Sequence, residues 1–278
     1  MLKNLVKNLS SIVPLSQAVL EAELLVEFIS GYKKKDFILR PDLSLDKEQQ
    51  DKLDCLMKKR LQDRIPVQYL IGEACFMGEM FDVNSHVLIP RPETELLVEE
   101  VIKSAKKMAC PKILDIGTGS GAIAIMLKKL AAGCSVVGSD ISLFALETAK
   151  ANAKKLGVDV GFVCSDLFEE ISGKFDIIVS NPPYIPQREK KNLSAEVLNE
   201  PSGALFTEDV DGVEFYDKII SQSRFFLEDG GYLFFEIGIH QSMLIRKLFE
   251  NNGFSDIKIV KDLSKTDRII SAKCSYNT

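Results

Sequence analysis

Tryptophan is absent from the 278 residues, and histidine occurs only twice, at His86 and His240. With so few imidazoles and no Cys-x-x-Cys pair among six scattered cysteines, a zinc site of ordinary ligand spacing is not expected, nor is any other metal. Scattered single cysteines in a chain this long read as reduced thiols, and the expected compartment is the cytoplasm. No apolar run approaches the ~20 residues of a membrane span. The opening stretch, 1–15, lacks the continuous apolar core and cleavage site of a secretory signal, so none is expected. A positive field is missing too: the net charge is −5, which argues against general nucleic-acid binding driven by charge. What remains is ordinary soluble composition in a length that suits one large domain and a small one.

The hydrophobic pattern divides the chain in three. Residues 1–71 read as helices. Ser16 is expected to cap a segment in which Val19, Leu20, Leu24, Leu25 and Phe28 recur at three- and four-residue spacing, with Gly31 as its stop. Asp46 starts another, striped by Leu53, Leu56, Met57 and Leu61. Its opposite face carries Lys58, Lys59, Arg60 and Arg64, read as a solvated surface or as a dock for an acidic partner. Residues 72–90 alternate apolar positions with turn-formers and predict a β-hairpin connecting two domains. Residues 91–278 alternate helices and strands: helices over 93–108, 122–130, 143–156, 213–226 and 241–251, and strands over 112–116, 135–139, 160–164, 175–180, 232–237, 256–260 and 268–273. That alternation predicts an α/β doubly wound, mostly parallel sheet, with ligands at the carboxyl ends of its strands.

The first such strand end reads Asp115-Ile116-Gly117-Thr118-Gly119-Ser120-Gly121. Glycines at alternate positions let the backbone turn sharply and lie against a ligand. The spacing is G-x-G-x-G, not the dinucleotide G-x-G-x-x-G, and no P-loop Lys-Ser/Thr follows. Asp115 would repel a pyrophosphate but suits a cationic amino group. Asp140 closes the next strand, where an acid accepts hydrogen bonds from ribose hydroxyls. Asp166 follows the third; its carboxylate suits an adenine amino group, with Leu167 beside the ring. Singly, each acid is as well explained as a helix cap or a solvated loop residue. As an ordered set, they resemble the cofactor site of class I methyltransferases dependent on S-adenosylmethionine.

Ser180-Asn181-Pro182-Pro183-Tyr184 follows the strand Phe-Asp-Ile-Ile-Val. In isolation this is a rigid turn; after such a cofactor loop it is a candidate reaction motif. The nitrogen of an amide or of an exocyclic base amine is a poor nucleophile because its lone pair is delocalised. Acceptors at the Asn181 side-chain oxygen and the Pro182 carbonyl would orient both N–H bonds and meet the positive charge that grows on nitrogen. Two prolines stiffen the loop, and Tyr184 is expected to pack on the flat target group. No general base is assigned.

Beyond these motifs, the chain resembles the family that methylates the glutamine of peptide-chain release factors. The likeness runs through 64–72, Phe81, Val83, 87–95, 115–121, 181–184, Glu200-Pro201, 204–206, Asp211-Gly212 and Glu236-Ile237-Gly238. Ile89-Pro90-Arg91-Pro92-Glu93-Thr94-Glu95 is its most specific part, read either as a helix start or as the mouth of the substrate pocket. The resemblance implies a seven-stranded methyltransferase sheet, an amino-terminal helical domain that also holds the release factor, and S-adenosylmethionine as cofactor. It assigns cofactor binding to Gly117–Gly121, Asp140, Leu167 and Asn181, and glutamine binding to Asn181–Tyr184. Asn199 and Thr207-Glu208 depart from the family pattern, which puts substrate contacts near them in doubt. The competing readings are an adenine-N6 methyltransferase of DNA or RNA, a glutamine methyltransferase of a ribosomal protein, and an adaptor without activity.

Overall fold

The computed structural model describes residues 1–40, 44–131 and 133–276. The chain forms two compact units, Met1–Glu73 with Ser194–Asn199, and Ala74–Leu193 with Glu200–Thr278.

The first unit is helical: α1 (Leu2–Leu9), α2 (Leu15–Ser30), α3 (Lys34–Leu39), α4 (Lys47–Gln62) and α5 (Val67–Ile71). Leu9, Ala22, Leu25, Val26 and Leu53 are fully buried in its core. Asp46 caps α4 through a reciprocal box: it accepts from the Gln49 amide at 2.9 Å, and Gln49 Oε1 accepts from the Asp46 amide at 3.1 Å. Ser16 does not cap α2, because Pro14 (φ −54°, ψ 148°) turns the chain out of the helix sooner; Gly31 ends α2 in the left-handed region, at φ 71°.

Arg60 departs from the expected solvated face. It is fully buried, with Nε donating to Glu21 Oε2 at 2.7 Å and Nη2 to Glu21 Oε1 at 2.9 Å. Its Nη1 donates to Glu196 Oε1 at 2.8 Å, which Arg64 Nε also reaches at 2.8 Å. The acidic partners of Arg60 and Arg64 thus lie in the same chain, while Lys58 and Lys59 are exposed as the solvated reading expects. Against the opposing effect of burial, the hydrogen bonds from Arg60 and Arg64 hold the Glu196 carboxyl down at about 2.

The second unit opens with a hairpin, β1 (Glu73–Phe76) and β2 (Glu79–Asp82), followed by α6 (Pro92–Ala105). Phe76 and Phe81 are fully buried, edge to face at 6.0 Å, in one core with α6 and α7 (Ala122–Leu130). The stretch expected as a connector is therefore core of this unit. Strands β3 (Lys112–Ile116), β4 (Ser135–Asp140), β5 (Gly161–Cys164), β6 (Phe175–Ser180), β9 (Leu227–Glu236), β10 (Phe254–Lys261) and β11 (Asp267–Cys274) form one sheet. A small pair, β7 (Ile185–Pro186) and β8 (Phe206–Thr207), stands apart from it. The order in the large sheet is β10-β11-β9-β6-β3-β4-β5, and only β11 runs against the rest. Helix α8 (Leu143–Lys155) joins β4 to β5, while α9 (Glu214–Ser223) and α10 (Ser242–Asn251) pack in a second core with β9 and β11. Strand β9 starts earlier than the sequence predicts. Asp229-Gly230-Gly231 lies inside it as an irregularity of the pairing with β6, with Gly230 at φ 77°. Among the described residues no helix is long and apolar enough to cross a membrane.

The chain adds β4 and β5 on one side of β3, then returns to place β6 on its other side. The switch point therefore lies at the carboxyl ends of β3, β4 and β6, where a crevice opens.

Candidate active site

A cleft of about 840 Å³ occupies that crevice. Its walls include Gly117 and Gly119 after β3, Asp140 at the end of β4, Asp166 and Leu167 after β5, and Asn181, Pro182 and Pro183 after β6. Four separate strand ends thus bring most of the expected site residues to one cavity.

Gly117, Gly119 and Gly121 all have positive φ, at 72°, 54° and 82°. Open space faces the missing side chains of Gly117 and Gly119, whereas a Cβ on Gly121 would meet Ile125 Cδ1 at 2.9 Å and Ala149 Cβ at 3.1 Å. The first two glycines leave room for a ligand, and the third lets α7 pack against α8. Asp140 Oδ2 accepts from the Gly119 amide and Oδ1 from the Ser142 amide, each at 2.9 Å, which fixes the carboxylate on the loop. Burial raises its pKa, and those backbone donors oppose the rise. Leu167 is held at φ 49°, a strained conformation for a leucine, on the cavity wall beside Asp166.

Besides Gly121, which serves the helix packing, four expected residues do not line the cleft. Asp115 is fully buried, and its Oδ2 accepts the Thr118 hydroxyl at 2.6 Å, so this acid braces the glycine loop from within. Burial pushes its carboxyl up to about 7. Thr118 and Ser120 are buried beside it. Tyr184, expected on the target group, packs instead against the core of β9 and α10, because its ring lies over Gly238, where a Cβ would come within 3.0 Å of Cδ2.

Three residues that sequence reasoning left without a role surround the reaction motif. Gln241, at the start of α10, donates from Nε2 to the carbonyls of Tyr184 and Asp211, both at 3.0 Å, and of Gly212 at 3.1 Å; its Oε1 accepts from the Gly238 amide at 2.9 Å. The Ile89–Glu95 run is partly explained by Glu200, whose Oε2 accepts from the Ile89 amide at 3.1 Å and whose Oε1 pairs with Arg91. Thr94 Oγ1 donates to Glu236 Oε2 at 2.6 Å and accepts from Asn181 Nδ2 at 3.3 Å. The sequence signals were membership of the run for Thr94, of Glu-Ile-Gly for Glu236 and of Glu-Pro for Glu200, while Gln241 stood out only as the start of the last helix.

A glycine loop and an Asn-Pro-Pro-Tyr turn on adjacent strand ends of such a sheet define a methyltransferase, and the Methyltransferase small domain family model matches residues 90–210. The PrmC N-terminal domain model matches residues 2–72. The release factor glutamine methyltransferase of Flavobacterium psychrophilum is 42% identical over 253 residues, covering 89% of this chain and 88% of that one. The enzyme of the same name from Agrobacterium fabrum is 36% identical, with 91% and 89% covered. This chain belongs to the release factor glutamine methyltransferase family. In fold alone it is also similar to a solved methyltransferase from Pyrococcus furiosus (18% identity, TM-score 0.55, 82% of this chain and 99% of that one).

Proposed function

We propose that this protein transfers a methyl group from S-adenosylmethionine to the side-chain amide nitrogen of a glutamine in a peptide-chain release factor. The observation that carries the reading is Asn181. Its carboxamide stands on the cleft wall beside Pro182 and Pro183, with its nitrogen already committed to Thr94 and its oxygen left to accept.

The cleft fits the cofactor. Gly117 and Gly119 leave space for it, Asp140 has lone pairs left for ribose hydroxyls, and Asp166 and Leu167 suit the adenine edge and face. When bound, it supplies an electrophilic methyl group on a sulfonium. The rest of the chemistry belongs to the chain. Asn181 Oδ1 and the Pro182 carbonyl accept the two N–H bonds of the target amide and hold its nitrogen in a pyramidal arrangement. They are set before the reaction, so charge growing on nitrogen meets fixed dipoles without rearrangement. Val87, Leu88 and Pro201 supply apolar wall that limits water at the site. A side-chain amide on an exposed loop of the factor can reach such a cleft, and the helical unit contributes binding to the factor's body. All six cysteines are unpaired, and we infer a reducing cytoplasm as the compartment.

The test offers intact release factor, its glutamine-to-alanine variant and adenine-containing DNA or RNA to the enzyme with labelled cofactor, and locates the label by mass spectrometry. Label on the glutamine alone is expected. Label on nucleic acid or on the variant, at the rate of the intact factor, would replace this reading with the adenine one.

A further inference from the structure

We propose that Thr94 and Glu236 form a one-way hydrogen-bond relay that fixes the Asn181 carboxamide with its oxygen toward the cleft, and that this polarity depends on Glu236 being ionised. The inference rests on Asn181 being the acceptor for the target amide, and it concerns positioning residues, not groups that touch the substrate.

A carboxamide is nearly symmetric in shape, so packing alone does not decide which end faces the cleft. If the nitrogen faced it, Asn181 would present a donor to the two N–H bonds it has to accept. The neighbours decide the matter. Thr94 has one hydroxyl proton, and at 2.6 Å that proton lies on the line to Glu236 Oε2. The Thr94 oxygen is then left with lone pairs only, and the group facing it at 3.3 Å must be a donor, the Asn181 nitrogen. The flipped amide would set two acceptors against each other in a buried place, with Thr94 only 5% exposed.

Ionisation of Glu236 keeps the relay from reversing. A carboxylate can only accept. A protonated carboxyl can donate to Thr94, which frees the threonine proton to point at Asn181 and stabilises the flipped amide. Glu236 is fully buried; burial pushes its carboxyl up to about 7, against the Thr94 hydrogen bond, and Glu93 on α6 adds to the rise. Arg268 on β11 and the Asn181 side chain oppose it. The remaining titratable neighbours are Tyr184 beyond β6 and Tyr216 on α9, both held neutral by raised pKa values. The relay therefore changes state within the physiological range, losing its productive polarity as pH falls below about 7. It also gives the Ile89–Glu95 run a function in Thr94 beyond starting a helix.

The experiment compares Thr94→Val, Thr94→Ser and Glu236→Gln with the full-length wild type, using intact release factor and titrating from pH 5.5 to 9. Thr94→Val keeps shape and burial but removes the hydroxyl. Its kcat should fall about 10–100-fold, as for loss of a preorganising contact, with the cofactor Kd from calorimetry within about two-fold. Thr94→Ser should restore most of that loss. The wild-type kcat should fall on the acid side with a midpoint near 7, and Glu236→Gln should lack that limb. The ¹⁵N side-chain amide signal of Asn181, assigned by its disappearance in Asn181→Ala, should shift with the same midpoint in wild type and not in Glu236→Gln, with no substrate present. The relay is overturned if Thr94→Val turns over like wild type, if Thr94→Ser is as poor as Thr94→Val, or if the acid limb survives Glu236→Gln. The amide signal separates this failure from that of the parent reading, which falls if Asn181→Ala itself keeps wild-type turnover.

Discussion

Gln241 donates a hydrogen bond to the backbone carbonyl of Tyr184 across 57 positions of sequence, at 3.0 Å. This bond ties the last residue of the reaction motif to the first turn of α10. It also gives the Asp211-Gly212 and Gly238 positions a reason. A Cβ on Gly212 would lie 2.3 Å from the Tyr184 carbonyl oxygen, and one on Gly238 would lie 2.6 Å from Gln241 Oε1.

Replacing Gln241 by leucine should strand the three carbonyls and the Gly238 amide that now share its carboxamide. The expected loss is about 1–3 kcal/mol of stability, as for buried polar groups left unsatisfied. Turnover should fall as well, because the motif loses its brace. Urea denaturation and steady-state kinetics check both. A variant as stable as wild type would show that water replaces the side chain.

Asn181→Ala should keep the fold and most of the cofactor affinity while kcat falls about 10²–10³-fold, by analogy with deleting one preorganised contact to a transition state. Retention of more than about half the turnover would remove Asn181 from the mechanism.

Asp140→Ala should act in the opposite way. Its carboxylate organises the Gly119 and Ser142 amides and faces the cleft, so cofactor affinity should drop by about 1–3 kcal/mol. Calorimetry with S-adenosylmethionine and its demethylated product, in buffer with and without chelator, measures the loss. Unchanged binding would place the ribose elsewhere, and a requirement for a divalent ion would contradict the site as drawn.

Glu196 gives a pH signature. Its carboxyl is held down at about 2, below the ordinary value of 4.5, so it stabilises the fold above pH 4.5 and this contribution is lost as pH falls through about 2. Glu196→Gln should therefore destabilise the protein at pH 7, with the difference shrinking as pH approaches 2. The cost should stay below the roughly 3–5 kcal/mol of an unpaired buried charge, since Arg60 retains Glu21. Thermal melts of both proteins across that range are the check; a gap that does not narrow on acidification would assign the effect to packing.

Asp115 and Glu236 carry the reverse sign. Both are fully buried and pushed up to about 7, so the stability they contribute is complete below about pH 4 and is lost as pH rises through 7. Glu236→Gln should raise the Tm more at pH 8 than at pH 5. An equal shift at both values would show that burial does not raise the Glu236 carboxyl above its value in the unfolded chain.

The sequence by itself determined the strand ends and what they carry. Glycines at positive φ and a double proline are local conformational demands, legible wherever the chain passes from an apolar strand into a turn. They led to Gly117, Gly119, Asp140, Asp166, Leu167 and Asn181, all of which meet at one cleft. The tertiary structure decided the partners. Arg60 read as a surface cation because its spacing places it on the polar side of α4, and only the approach of Glu21 and Glu196 makes its burial tolerable. Asp115 read as a ligand because it ends a strand; the fold turns it inward onto Thr118. Thr94 and Glu236 stand 142 residues apart, and neither carries a local mark of the other. A hydrogen bond between distant positions leaves no periodicity or turn signal in the chain, because its geometry exists only once the sheet has brought β9 beside α6.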